Sequence, residues 1–390
     1  MMGLQRNGLK VKLFQRAIGF ANRLATLPNR LLPPPFRLIQ IGSAYWQSRV
    51  LYTVTELGVA DCLGDDDKSS TEIAVELNLH EDHLYRLLRM LASFGVFDES
   101  APRRFRNNKL STCLRSDHPQ SVRAMILMHN SPAMSRPWFE SLTPAIRTGA
   151  IPFVLTHGAE LFSYMDKHAE FDALFTEAME AVESLTGTDY LRDFDWGRFE
   201  RIIDVGGSNG SKSIAILKQH EKLRAVIFDR PSVVAGAADY WRNKLESSLL
   251  QRLEFSGGDM LNAIPKATSD RDLYLFAAIF HGMGSEQAEQ ILHNLRLAFG
   301  SYRPTVVIAE MVAQEQHIDP TIASFDMQML MGTQGRERTL NEWRELLEPA
   351  GFSIREIVDV RTFACFLVVE VNGPAPVKAG IGKAEPGRAS

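Results

Sequence analysis

Two hydrophobic rhythms divide the chain near Leu191. From Ala44 to about that point apolar residues return at helical spacing, as in Leu84, Leu87, Leu88 and Leu91, and strand candidates are few. Beyond it, short continuous apolar runs at 201–205, 224–229, 253–256 and 272–280 take over, separated by helical stretches. Such runs read as strands buried on both faces of a parallel sheet. Two last runs, 354–360 and 363–371, are joined by a turn so short that they must pair antiparallel. The pattern predicts an α/β, Rossmann-like half behind a helical half.

The ends of the parallel strands carry the chemistry. Arg201-Ile-Ile-Asp-Val runs into Gly206-Gly-Ser-Asn-Gly210, an acid followed by a glycine-rich turn that admits a nucleoside-bearing cofactor. A dinucleotide turn needs Gly-x-Gly-x-x-Gly, so that a pyrophosphate sits on the next helix N-terminus. Here that register fails: from Gly206 it needs glycine at Ser208 and Ser211, and from Gly207 at Asn209 and Lys212. What remains is Asp204-x-Gly206-x-Ser208-x-Gly210, close to the acid-x-Gly-x-Gly-x-Gly turn of S-adenosylmethionine enzymes, with the middle glycine missing. That cofactor bears an ammonium, a carboxylate and a sulfonium but no phosphate, so a strand-end carboxylate suits its amino group. Asp229, with Arg230 beside it, ends the second strand where a βαβ unit places ribose hydroxyls. Gly257-Gly258-Asp259-Met260 offers an acid for an exocyclic amine and a thioether for an adenine face, and the fourth strand ends at His281. Any one of these acids alone reads as a helix cap; four strands ending in polar residues read as a ligand edge.

The stretches DVGGSNG at Asp204, FDRP at Phe228, GGDM at Gly257, FH at Phe280, IAE at Ile308 and GRERTLNEWRELLEPAGF from Gly335 resemble, in order and spacing, the plant-type and bacterial small-molecule O-methyltransferases. That family includes caffeic acid, hydroxyindole and hydroxyneurosporene methyltransferases. The resemblance implies a seven-stranded methyltransferase sheet, a winged-helix dimerisation domain, S-adenosyl-L-methionine as cofactor and a homodimer. It also implies a catalytic histidine flanked by two glutamates, by motif position His281, Glu310 and Glu337. The chemistry agrees, since a neutral imidazole can take a hydroxyl proton while a carboxylate fixes its tautomer. No metal is required, and no His/Cys/carboxylate cluster has ligand spacing. Where the family continues His-Asp-Trp, this chain reads His281-Gly282-Met283-Gly284. Relatives on this fold keep the cofactor yet run pericyclic, decarboxylation or hydroxylation steps, so a non-methylating reaction is the alternative reading.

In the helical half, Ser69-Ser-Thr-Glu72 predicts a capping box, Asn78 a turn, and Val96-Phe97 with Arg104-Phe105 a hairpin around 98–103. Helix-turn-helix plus wing is also the outline of a DNA reader. A winged-helix regulator is therefore a rival, opposed by Glu81 and Asp82 where such a reader needs basic or amide side chains. Met128, His129, Trp138, Phe171, Phe175, Met179, Met327 and Met331 form a second apolar and aromatic band. Singly each reads as core; the resemblance places several of them against an apolar acceptor, and methionine-rich walls adapt to flat ligands.

At 390 residues, 45% hydrophobic and 23% charged, the chain holds enough apolar surface for two domains. A net charge of -4 gives no global pull toward nucleic acid, and Cys62, Cys113 and Cys365 are dispersed, which fits a reducing cytoplasm. No acid precedes Glu56, while basic residues accumulate from Arg6 to Arg49. This arm reads as a membrane-surface helix, an organellar presequence or an arm packing on a partner subunit. The predicted layout is a basic arm over 1–40, a helical dimerisation and lid domain over 41–191, a cofactor-binding catalytic domain over 192–372, and a disordered tail over 373–390.

Overall fold

In the computed structural model the described residues are 32–372 together with Val11, Leu13, Arg16 and Ala17. The predicted basic arm lies mostly outside them, and the predicted tail wholly so. The chain divides into two units. One ends at Gly187 and takes back Leu330–Thr333; the other runs Thr188–Met329 and resumes at Gln334. The division precedes the expected 191/192 boundary because Tyr190 and Leu191 pack with Phe194 and Trp196 in a core of the sheet unit.

The helical unit contains the helix Pro34–Glu56, whose proline stands in the first turn, where a missing N–H removes no bond. This helix runs unbroken across the expected 40/41 boundary. Three short strands follow: β1 (Asp67–Ser69), β2 (Asp98–Ala101) and β3 (Arg104–Arg106), in the order β1-β3-β2. The capping box forms: Ser69 Oγ accepts from the Glu72 N–H at 3.1 Å, and Glu72 accepts from the Ser69 N–H at 2.6 Å. Asn78, at φ 53°, turns the chain into Glu81–Ser93, a helix-turn-helix with a wing. The hairpin lies further along than its apolar residues suggest. Phe97 is drawn into the core with Leu88 and Leu91, so pairing begins at Asp98, and Arg103, at φ 63°, makes the turn.

The sheet unit carries β4 (Arg201–Val205), β5 (Arg224–Asp229), β6 (Leu253–Gly257), β7 (Asp272–Ala277), β8 (Thr305–Glu310), β9 (Phe352–Asp359) and β10 (Cys365–Val371). Their order is β6-β5-β4-β7-β8-β10-β9, parallel except for β10, which pairs antiparallel with both neighbours. Ile202, Ile203 and Val205 are fully buried because the sheet is covered on both faces. One covering layer holds Ser285–Phe299 and Leu340–Leu347, the other Ser211–Leu217.

Candidate active site

Strand order reverses at β4: β5 and β6 lie to one side, β7 and β8 to the other. A crevice opens at such a switch point, outside the carboxyl ends of the strands. Register puts Val205 beside both Phe228 and Phe276, and Asp229 beside Gly257. The predicted acids and glycines therefore share one sheet edge.

In the turn after β4, Gly206, Ser208 and Gly210 have φ of 74°, 52° and 80°. A Cβ on Gly206 would collide with the Ile279 side chain, and one on Gly210 would lie 2.9 Å from Ile227. Ser208 stands where the motif's middle glycine is missing and holds a left-handed conformation that costs a non-glycine residue about 1–2 kcal/mol. Its N–H donates to Asp229 Oδ2 at 2.8 Å, while Asp229 Oδ1 accepts from the Arg230 N–H at 2.7 Å. Asp204 is buried under the turn, its Oδ2 accepting from Ser213 Oγ at 2.6 Å, and a Cβ on Gly207 would sit 2.8 Å from its carboxyl carbon. The Trp241 indole donates to the Asn209 carbonyl at 2.7 Å, pinning the far side.

Along the same edge a Cβ on Gly258 would strike the Phe228 ring, and the Met260 methyl reaches the space over Gly206. Asp259 caps its own turn, accepting from the Leu261 N–H at 2.9 Å and from Asn262 Nδ2 at 2.8 Å. Arg230 is exposed. Asp229 keeps unused acceptor capacity, since a carboxylate has about four lone-pair sites and each of its oxygens takes one N–H. A glycine turn with no room for side chains and acceptor carboxylates around it fits a cationic nucleoside without phosphates.

β7 ends three residues earlier than the apolar run, at Ala277. Ala278, at φ 56°, turns the backbone sharply, and Phe280–Gly282 forms one 3-10 turn. The strand cannot continue because the Glu310 carboxylate takes its amides. Glu310 Oε1 accepts from the N–H groups of Ile279 at 2.9 Å, Phe280 at 2.8 Å and His281 at 3.4 Å. Glu337 Oε1 meets His281 Nδ1 at 2.9 Å, and Glu310 Oε2 lies 3.9 Å from the same nitrogen. A carboxylate partner assigns the hydrogen to Nδ1, leaving the lone pair on Nε2. The two glutamates are buried, while the imidazole is 21% exposed. Glu337 is held in turn through its N–H, which donates to Asp326 Oδ1 at 2.9 Å. Its second oxygen, Oε2, is buried with no hydrogen-bond partner among the described residues.

Burial pulls the His281 pKa down, but the Glu310 charge and the hydrogen bond His281 donates to Glu337 outweigh it, so the net shift is upward. Burial also raises the Glu310 carboxyl, against the pull of His281 and of the backbone N–H donors. Donor atoms of His281, Glu310 and Glu337 lie within 4.8 Å of one another. With Nδ1 hydrogen-bonded to Glu337 and Glu310 Oε1 occupied by amides, the cluster is arranged as a buttressed base.

The structure brings Asp204, Gly206, Gly207, Gly210, Asp229, Gly258, Asp259, Met260 and His281 to one edge, and joins His281 to Glu310 and Glu337. The apolar band is less uniform. Met128, Phe171 and Met331 are buried in a core of the helical unit with Phe153, Leu161 and Met165, and Trp138 and Phe175 pack against it. For Met128 and Met331, at 0% and 1% exposure, core packing is the role seen. His129 and Met179 are exposed in the helical unit, and Met327 is exposed on Pro320–Gly332. Sequence reasoning missed Ser213, Trp241, Asp326 and Arg338; only Arg338, next to Glu337 in a quoted motif, carried any signal.

Fold and site geometry together fit a nucleoside-cofactor enzyme whose sheet edge carries a part-exposed histidine held between two buried carboxylates. Comparison with known proteins narrows this. An O-methyltransferase domain model matches residues 139–353, and an O-methyltransferase dimerisation domain model matches 39–117. The chain is 30% identical to a phenazine O-methyltransferase of Lysobacter antibioticus, over 82% of this chain and 92% of that one. It is also 30% identical to a phenazine-1-carboxylate N-methyltransferase of Pseudomonas aeruginosa, over 83% and 93%. The crystal structure of a calicheamicin-biosynthesis methyltransferase bound to S-adenosylhomocysteine superposes with a TM-score of 0.73 at 28% identity, covering 87% of this chain and 98% of that one.

The chain belongs to the S-adenosylmethionine-dependent O-methyltransferase family. S-adenosyl-L-methionine is its cofactor. The winged segment that resembled a DNA reader falls inside the dimerisation-domain match, and its Glu81 pairs with Arg103 at 2.6 Å. Neither a regulator nor a non-methylating enzyme is supported by these relatives. No helix among the described residues is long and apolar enough to cross a membrane.

Proposed function

We propose that His281 is the general base of methyl transfer to a hydroxyl of a flat, largely apolar secondary metabolite, with Glu337 and Glu310 as its positioning carboxylates. The observation that carries this is the 2.9 Å bond between His281 Nδ1 and Glu337, with Glu310 gripping the amides of the same turn. The cofactor supplies a sulfonium methyl that needs no further activation. His281 Nε2 takes the acceptor proton as the oxygen attacks, and the buried carboxylates stabilise the imidazolium. Most of the remaining acceleration comes from alignment and exclusion of water. Asp204 receives the cofactor ammonium, Asp229 the ribose hydroxyls, and Asp259 with Met260 the adenine.

The phenazine-directed relatives support a planar acceptor. The aromatic stripe Phe171, Phe175, Met179, with Trp138 and His129, supplies contacts for one. On the helix Pro34–Glu56, Phe36, Leu38, Ile39 and Ile41 are each more than 60% exposed, the first two just ahead of the dimerisation match and the last two at its start. That apolar face supports a homodimer. Three free cysteines support a reducing, cytoplasmic setting.

The test incubates enzyme with methyl-labelled S-adenosylmethionine and a panel of hydroxylated polycyclic aromatics. Label is expected in the product ether. Product formed with the cofactor intact would instead establish the non-methylating alternative.

A further inference from the structure

Arg338 is buried, yet both ends of its guanidinium fork go to backbone carbonyls rather than to a carboxylate. Nη1 donates to the Phe280 carbonyl at 2.6 Å and Nη2 to the Met283 carbonyl at 2.9 Å. Those carbonyls bracket His281 in the chain. On the opposite polarity of the same turn, Glu310 collects the N–H groups of 279, 280 and 281. A cation thus holds the carbonyl ends and an anion the amide ends of one turn.

The segment 335–338 completes the grip. Gly335 lies so close to the His281 carbonyl that any Cβ there would overlap it. Glu337 holds the ring, and Arg338 holds the flanking backbone. The guanidinium carbon stands 5.5 Å from the centroid of the buried Trp343 ring, which in turn packs against Phe280 at 5.7 Å. The Arg338 carbonyl accepts from the Ala313 N–H at 3.0 Å, tying the segment to the chain just beyond β8. The fork is therefore anchored on its own backbone side as well as at the turn.

We propose that Arg338 is a positioning residue for methyl transfer: its guanidinium fixes the backbone on either side of His281, so that Nε2 meets the acceptor hydroxyl in line. A planar fork can hold two carbonyls at once; an ammonium, a point donor, holds one well. Misplacing a reacting group by about 1 Å costs on the order of 100-fold in rate. The inference rests on His281 being the base, and the experiment separates the two.

Single-turnover rates and cofactor dissociation constants are measured for the wild type, Arg338→Met, Arg338→Lys, His281→Ala and the His281→Ala/Arg338→Met double variant. Arg338→Met is expected to lose about 10–100-fold in rate with cofactor affinity within about 2-fold, Arg338→Lys to recover part of the loss, and the double variant to be no slower than His281→Ala. Losses that multiply in the double variant, or an Arg338→Met rate equal to wild type, overturn the proposal. Should Arg338→Met fail to fold, Arg338→Lys decides: an intermediate rate with intact cofactor affinity supports the role, and a wild-type rate overturns it. A His281→Ala variant with full turnover overturns the base reading itself.

Discussion

The glycine-rich turn after β4 and the histidine turn after β7 end adjacent strands of one sheet, yet they are held by different forces. At 204–210 the shape comes from backbone freedom: two glycines with left-handed φ, hydrogen bonds from neighbouring side chains, and an edge open to solvent at Ser208. At 279–283 it comes from buried charge, with Glu310 and Glu337 on one side and Arg338 on the other. A partner that reaches solvent can be replaced by water; a buried charged partner cannot. The contrast suits the two tasks proposed for the turns, since a cofactor must come and go while a base must stay in place.

Removing the Glu310 carboxylate is expected to do most damage. Glu310→Ala leaves three amides without their acceptor, so stability should fall by about 3 kcal/mol or more, read by denaturant titration. Turnover should drop about 100- to 10,000-fold, because the base is lost as a unit with its support. Cofactor affinity should change far less, by calorimetry, and an equal loss of both would erase the contrast between the turns.

Glu337→Gln removes a charge while keeping the shape. Because the His281 pKa is raised and the neutral ring is the working form, activity falls as pH drops through that raised value. Taking away the Glu337 charge lowers it, so the acid limb of the rate profile should move to lower pH while the plateau falls about 10- to 100-fold. A limb that stays where it was would detach Glu337 from the titrating group.

On the other turn the pattern should invert. Asp229→Ala is expected to weaken cofactor binding about 10-fold or more, with turnover at saturating cofactor within a few-fold and little change in melting temperature. Unchanged affinity would remove Asp229 from the ribose site. The smallest effect belongs to Ser208→Gly. It relieves the left-handed strain at a cost in unfolded-state entropy, so a gain of at most about 1 kcal/mol is expected by thermal melt, with affinity unaltered.

The first four parallel strands, the terminal antiparallel pair, the capping box and the grouping of His281 with Glu310 and Glu337 were legible because each leaves a local mark: an apolar run, a short turn, a cap spacing, a motif. The end of β7 was not. Its apolar run continues to Phe280, but the left-handed turn at Ala278 and the Glu310 carboxylate, distant in sequence, end the strand at Ala277. Arg338 and Asp326 escaped for the same reason, since a side chain bonded to a backbone carbonyl or amide across the fold leaves no periodicity. The hairpin was displaced because Phe97, apolar enough for a strand, is claimed by the helical core instead. Met128 and Met331 show the converse, where an apolar residue beside an expected pocket is taken up in core packing.

The most direct test compares single-turnover methyl transfer by wild type and His281→Ala at saturating labelled S-adenosylmethionine, with the cofactor dissociation constant measured on the same samples. Transfer slowed about 100- to 10,000-fold at an unchanged dissociation constant is expected. Transfer at the wild-type rate, or a loss accounted for by weaker cofactor binding, would contradict it.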